Sequence, residues 1–100
     1  MDEDGYPTDE ESKTIEDWDI KGFYDCVKLL EYVKKLWKYA DMGYYELEAK
    51  NDNTVYTIST GGWSGNETLM AALQGNMMFW MLCWYSSRRG GHYTFEVRDE

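Results

Sequence analysis

One hundred residues allow a single domain, and a net charge of −9 excludes passive attraction to DNA or to an anionic membrane, because repulsion from phosphate dominates. Two cysteines and one histidine are too few for a disulfide scaffold or a plausible zinc site. The longest apolar run, Met77 to Tyr85, is nine residues, against the roughly 20 needed to span a bilayer.

The charge is unevenly spread. Residues 1–20 hold nine acids against Lys13, a balance of −8, whereas residues 21–100 hold ten acids against nine Lys and Arg, a balance of −1. Such a block stays solvated. Residues 1–16, which include Asp2, Glu3, Asp4, Asp9, Glu10 and Glu11, therefore read as a flexible acidic tail, and residues 17–100 as one α+β domain. Ile15, Trp18 and Ile20 are placed to pin the end of the tail to the body. The acidic start is the opposite of a secretory leader's basic end, so a reducing, cytoplasmic setting is expected. Cys26 and Cys83 then read as buried free thiols, with a disulfide between helices as the alternative.

From Lys21 to Asp41, Phe23, Cys26, Val27, Leu30, Val33, Trp37 and Ala40 recur at three and four, which predicts a helix with one apolar stripe. Asp19 is its expected cap and Gly43 its stop. Residues 44–50 alternate, Asn51-Asp52-Asn53 is turn chemistry, and residues 54–60 are β-branched and aromatic. This pattern predicts a hairpin with Tyr45, Tyr56 and Ile58 facing the core. After the glycine corner GGWSGN, a second helix is expected from about Glu67 to Ser87, apolar nearly all round from Met77 onward. Gly75 interrupts it at a cost of about 1 kcal/mol, which points to a close packing contact there. Arg88 and Arg89 suit its negative end, Gly90-Gly91 ends it, and His92–Arg98 forms the last strand. The order α-β-β-α-β predicts a two-layer sandwich. Its three-stranded, mainly antiparallel sheet carries two helices packed on one face.

Three constellations carry chemistry. GGWSGN before a helix invites a phosphate site, but it lacks a lysine and both glycine-loop spacings, and Glu67 repels an anion; a capped turn fits better. Within it Trp63 either folds back over the core or stands out as a partner anchor. Ser64 and His92 nearly spell a hydrolase pair, but the elbow is one spacer short. Arg88, Arg89 and His92 form a compact basic cluster, suited to a helix cap, to an acidic partner or to the tail folding back. If the second helix is continuous, the two glycine corners stand about 30 Å apart at 1.5 Å per residue, which disfavours one compact site. Met77, Met78, Met81, Trp80 and Trp84 surround so much of that helix that leftover apolar surface points to a homodimer or a partner interface.

The stretch GGWSGNETL…LQGNMMFWMLCWYSSRRGGHYTFEV, residues 60–97, is similar to a pattern found in small uncharacterised proteins encoded by phages and prophages. The N-terminal third adds nothing to the resemblance, and no activity or cofactor comes with it. What it implies is context: a bacterial host cytoplasm, where small acidic phage proteins bind and block host machinery. The expectation is a non-enzymatic protein that modulates a host nucleic-acid-handling or defence factor by acidic charge mimicry. It binds neither nucleic acid nor membrane directly. The alternatives are a small-ligand or enzymatic site at the glycine corners and a structural homodimer. Asp2, Glu3, Asp4, Asp9, Glu10, Glu11, Trp63, Arg88, Arg89 and His92 are the candidate contact residues.

Overall fold

A computed structural model describes residues 6–38, 44–50, 53–89 and 91–98. Asp2, Glu3 and Asp4, the predicted helix end at Ala40 and Asp41, the stop at Gly43, the turn residues Asn51 and Asp52, and Gly90 lie outside the described residues. The chain is α+β. Its elements run α1 (Asp9–Glu16), α2 (Phe23–Leu36), β1 (Tyr45–Lys50), β2 (Asn53–Ser59), α3 (Ser64–Gly75), α4 (Met77–Cys83), β3 (Trp84–Arg88) and β4 (His92–Arg98).

The expected hairpin is present. β1 and β2 pair antiparallel with Tyr45 opposite Ile58 and Leu47 opposite Tyr56, and β4 adds to β2 with Phe95 opposite Tyr56. Strand alternation then puts Tyr45, Tyr56, Ile58, Phe95 and Val97 on one face, where all are buried, while Glu46, Glu48 and Thr57 on the other face are exposed. The sheet has four strands, not three, in the order β1-β2-β4-β3. The extra strand comes out of what the periodicity reads as one long helix.

That helix is two helices and a strand. α3 stops at Gly75, α4 runs only from Met77 to Cys83, and Trp84–Arg88 pairs antiparallel with β4. Asn76 makes the break. Its backbone leaves helical geometry at φ −88° and ψ 91°, and its side-chain oxygen accepts from the Phe79 N–H at 3.1 Å, capping α4. Its amide group donates to the Ile15 carbonyl at 2.9 Å and to the Trp18 carbonyl at 3.0 Å. Those bonds tie the end of α1 to the junction. Gly75 lies against the same segment, for a Cβ there would stand 3.2 Å from Glu16 Cγ.

Two further expectations change near the N-terminus. Residues 9–16 are not a flexible tail. They form α1, opened by a reciprocal capping box in which Glu11 N–H donates to Thr8 Oγ1 and Thr8 N–H to Glu11 Oε1, and held down by the fully buried Ile15. Asp19 does not cap α2, whose N-cap is Gly22 without a side-chain bond. Instead the Asp25 carboxylate reaches back from the first turn to accept the Lys21 N–H at 2.9 Å.

The core joins the helices to the sheet. Cys26, Leu29, Leu30 and Val33 of α2, Leu69 and Leu73 of α3, and Phe79 of α4 are almost fully buried with Ile58 and Phe95. Phe79 packs 5.2 Å from Phe95 between ring centroids. Trp37 lies edge-on to Tyr45 at 5.9 Å and donates its indole N–H to the Ser59 carbonyl. Tyr45 donates its hydroxyl to the Leu30 carbonyl at 2.6 Å, so the edge strand is bonded through its side chain to α2. Cys26 and Cys83 are both buried and free. A hydrogen bond from Cys83 lowers the Cys26 thiol's pKa, and the same bond raises that of Cys83.

Removing the Asn76 side chain deletes a cap and takes the side-chain donor from two carbonyls, of which that of Ile15 keeps the Trp18 N–H. Asn76→Ala is therefore expected to cost about 2–4 kcal/mol in urea unfolding. Asn76→Asp keeps the cap oxygen but turns a carboxylate toward the Ile15 and Trp18 carbonyls, and it should be at least as destabilised. Wild-type stability in the Asp variant would show that the cap alone matters. Burial also pushes the Tyr45 phenol well above its ordinary value of 10.0, and that of Tyr56 upward. The folded chain then holds protons that the unfolded chain releases. This contribution is complete below pH 10 and is lost as the pH rises further. Tyr45→Phe should flatten the alkaline limb of stability against pH while losing about 1 kcal/mol at neutral pH with the hydrogen bond to Leu30.

Candidate functional site

The two glycine corners meet. Ser59 and His92 are cross-strand partners, and the Thr60 N–H donates to the Gly91 carbonyl at 3.0 Å. A spacing of about 30 Å presupposes one straight helix, and the break at Asn76 with the return along β3 removes it. The approach is close enough that a Cβ on Gly91, already at φ +80°, would collide with Thr60 Oγ1. Between the joined corners and the outer side of α3 lies a cleft of about 280 Å³ lined by Thr60, Glu67, Met70, Ala71, Gln74, Gly91 and Tyr93. Thr60 Oγ1 is buried there without a hydrogen-bond partner among the described residues.

The first corner is a turn. Gly61 and Gly62 both have positive φ, at 61° and 74°, and the Trp63 N–H closes the turn onto the Thr60 carbonyl at 3.1 Å. Trp63 occupies the N-cap position of α3 without a side-chain cap bond. It folds back and is half-buried. Lys38 Nζ lies 3.7 Å above its ring, and Tyr6 packs 4.9 Å from it. Its indole nitrogen is buried with no hydrogen-bond partner among the described residues.

Asn66, in the first turn of α3, bridges two separate segments. It is buried at 1% exposure. Its oxygen accepts the Lys38 N–H at 2.9 Å, and its amide group donates to the Lys38 and Thr60 carbonyls at 3.1 and 3.3 Å. It thereby joins the segment after α2 to the first glycine corner.

Arg88, Arg89 and His92 are exposed around a β-hairpin turn, with Arg88 opposite His92 across β3 and β4. They do not complement a helix end, because no helix ends there. Among the described residues no salt bridge joins them to α1. Ser64 opens α3 and is exposed, and no hydrogen bond joins its side chain to His92 among the described residues.

The acid block is the part of the candidate set that the fold organises most. Asp9, Glu10, Glu16, Asp17 and Asp19 are exposed, and Glu11 is half-buried in its capping box. Glu10, Asp17 and Asp19 line a shallow groove of about 720 Å³ with Lys13, Thr14 and Trp18. Trp18 is half-buried and packs on Tyr32 at 5.4 Å between ring centroids. Reading residues 9–16 as solvated chain hides this groove; the signal that finds it is Thr8-x-x-Glu11, a capping box written in the sequence.

A second surface is apolar. Met77, Met78 and Met81 are 72%, 53% and 77% exposed, and Leu82, Trp84 and Tyr85 follow at 37%, 45% and 64%. Trp80, by contrast, turns inward onto Phe95 and stacks on Trp84 at 6.2 Å. Among the described residues no group of three or more His, Cys, Asp or Glu is arranged to hold a metal ion, and no helix is long and apolar enough to cross a membrane. Compared with known proteins, the chain matches no family model, no curated protein and no solved structure.

Proposed function

We propose that this is a non-enzymatic binding protein that sets a fixed acidic ledge against a basic groove of a host nucleic-acid-handling or defence protein, and so competes with the nucleic acid that groove binds. The observation that carries the reading is the docking of α1. Mimicry of a phosphate row needs carboxylates at fixed positions, and a free tail would lose much of their combined field to its own motion. Here Ile15 and the two Asn76 bonds fix the helix, so Asp9, Glu10, Glu16, Asp17 and Asp19 stand exposed on an ordered surface. Trp18 among them adds a ring face suited to an arginine or lysine of the partner. The resemblance of residues 60–97 to phage-encoded proteins supports a bacterial host cytoplasm as the setting. The near-neutral remainder of the chain leaves the acidic block to dominate long-range steering.

The test uses bacterial lysate and two forms of the full chain, wild type and the triple variant Glu10→Gln, Asp17→Asn, Asp19→Asn. Wild type should capture a basic protein that duplex DNA elutes, with capture falling steeply as salt rises. The triple variant should capture at least about tenfold less, corresponding to 1.4 kcal/mol or more. Equal capture by the two forms, or captured protein that DNA does not displace, would remove the ledge from the function.

The joined glycine corners favour a second reading, a small-ligand site in the cleft beside Thr60. Glu67 is the charged residue among its lining, so the cleft suits a polar amine or a neutral polyol better than a phosphate ester. A thermal-shift panel of amines, polyols, nucleosides and phosphate esters should stabilise the protein only with members of the first classes, and Glu67→Gln should abolish the shift given by amines. A flat panel rejects the cleft as a site.

A further inference from the structure

We infer that the exposed methionine–aromatic face of α4 and the start of β3 is a self-association surface, occupied by the same face of a second copy across a two-fold axis. The inference is independent of the acidic ledge and concerns different residues. Met77 and Met81, and likewise Met78 and Leu82, are four residues apart on α4 and share ridges of the helix. Met81 leads directly to Trp84 and Tyr85, and Met81, Leu82, Trp84 and Tyr85 border one groove of about 400 Å³ with Phe23, Glu96 and Arg98.

The area decides that this is more than ordinary surface greasiness. Taking roughly 200 Å² for a fully exposed large side chain, the six exposures given above leave roughly 700 Å² of apolar surface in one region. Single patches on monomers usually reach about 300–600 Å², while a stable interface takes about 800 Å² from each partner. The patch comes close to one side of a dimer without help from its rim.

Its chemistry suits a second copy. None of the six side chains is charged; of the two charged groups bordering the groove, Glu96 accepts from the Asn53 amide at 2.6 Å and Arg98 is exposed to solvent. Methionines adapt their shape to an identical opposing surface. The two edge strands differ in the same sense: β1 carries Glu46 and Glu48, charges that guard an edge, whereas β3 carries none before Arg88. A closed two-fold contact also consumes the patch completely, where a head-to-tail contact would leave one open at each end. The opposing force is the net charge of −9 on each copy, and salt screens it. Self-association should therefore strengthen with salt, opposite to the partner contact of the ledge.

Sedimentation velocity over about 1 µM to about 1 mM, a range bracketing ordinary interfaces, tests this at low and high salt. Wild type should pass from monomer to dimer, at lower concentration in the higher salt. Met81→Glu should raise the dissociation constant at least about tenfold with an unchanged circular dichroism spectrum and melting point, since the side chain it replaces is 77% exposed. Tyr85→Glu is the second variant should the first alter folding. The acid-ledge triple variant should dimerise at least as well as wild type, so that failure of one proposal is not mistaken for failure of the other. Wild type that stays monomeric throughout, including one that floats with anionic vesicles or binds a foreign protein through this face, overturns the inference. So does undiminished dimerisation of both glutamate variants.

Discussion

Asn76 holds three parts of the chain with one side chain: its oxygen starts α4, and its amide nitrogen grips the carbonyls of Ile15 and Trp18. At 4% exposure these groups have no water to fall back on, so each bond is worth more than it would be at the surface, and each loss more costly. The consequences run in both directions along the chain. Upstream, α1 has a fixed seat although only Ile15 of its residues is buried. Downstream, α4 leaves the line of α3 and turns only the side of Phe79, Trp80 and Cys83 to the core. The methionines are left outside, and the chain is delivered to the sheet edge at Trp84.

Asn66 repeats the device at the other end of α3. It bonds both polar groups of the Lys38 backbone and the carbonyl of Thr60, tying the exit of α2 to the first glycine corner. α3 is thus bracketed by two buried asparagines, each spending its amide on backbone from a distant part of the sequence. Such fully bonded buried amides specify a unique arrangement more than they add net stability, because apolar contacts could stabilise α3 in several registers whereas these bonds form in one.

The hairpin and the first half of α2 were legible because a strict period of two and a clean three-four stripe each admit one reading. Met77–Tyr85 admits several. A run that is apolar on every side has no phase, and neither a buried helix nor a helix-to-strand transition is favoured by its pattern. The information lay in Gln74-Gly75-Asn76, where a helix-ending glycine precedes a good cap, and in Ser86–His92, where two glycines sit between segments able to pair. Reading Arg88 and Arg89 as complements of a helix dipole fitted the wrong element well. The acid block hid α1 for another reason: composition argued for solvation, and one capping box with one isoleucine outweighed it once Asn76 supplied donors to the Ile15 and Trp18 carbonyls. For the candidate site, residue types were readable but distances were not. The glycine corners were separated by a helix length that the break cancels, and Trp63, readable as an anchor or a cover, lies half-buried between Lys38 and Tyr6.

The break at Asn76 also bears on the proposal that this chain binds rather than catalyses. An enzyme of this size would concentrate its polar groups in one enclosed cleft, and the joined corners come nearest to that with Thr60, Glu67, Gln74 and Tyr93. The larger resources lie on two open surfaces, a ledge of carboxylates and a face of methionines, both of which the fold leaves exposed at a cost. Ordered like charges repel one another across α1, and exposed methionine and tryptophan forgo burial worth about 25 cal/mol per Å². A sequence that needed only stability would mix the acids with lysines and turn the methionines inward. The two proposed contacts respond oppositely to salt, since screening weakens attraction between the ledge and a basic groove and relieves repulsion between copies. One junction residue therefore holds in place an electrostatic surface and a hydrophobic one, the seats of the two proposed contacts.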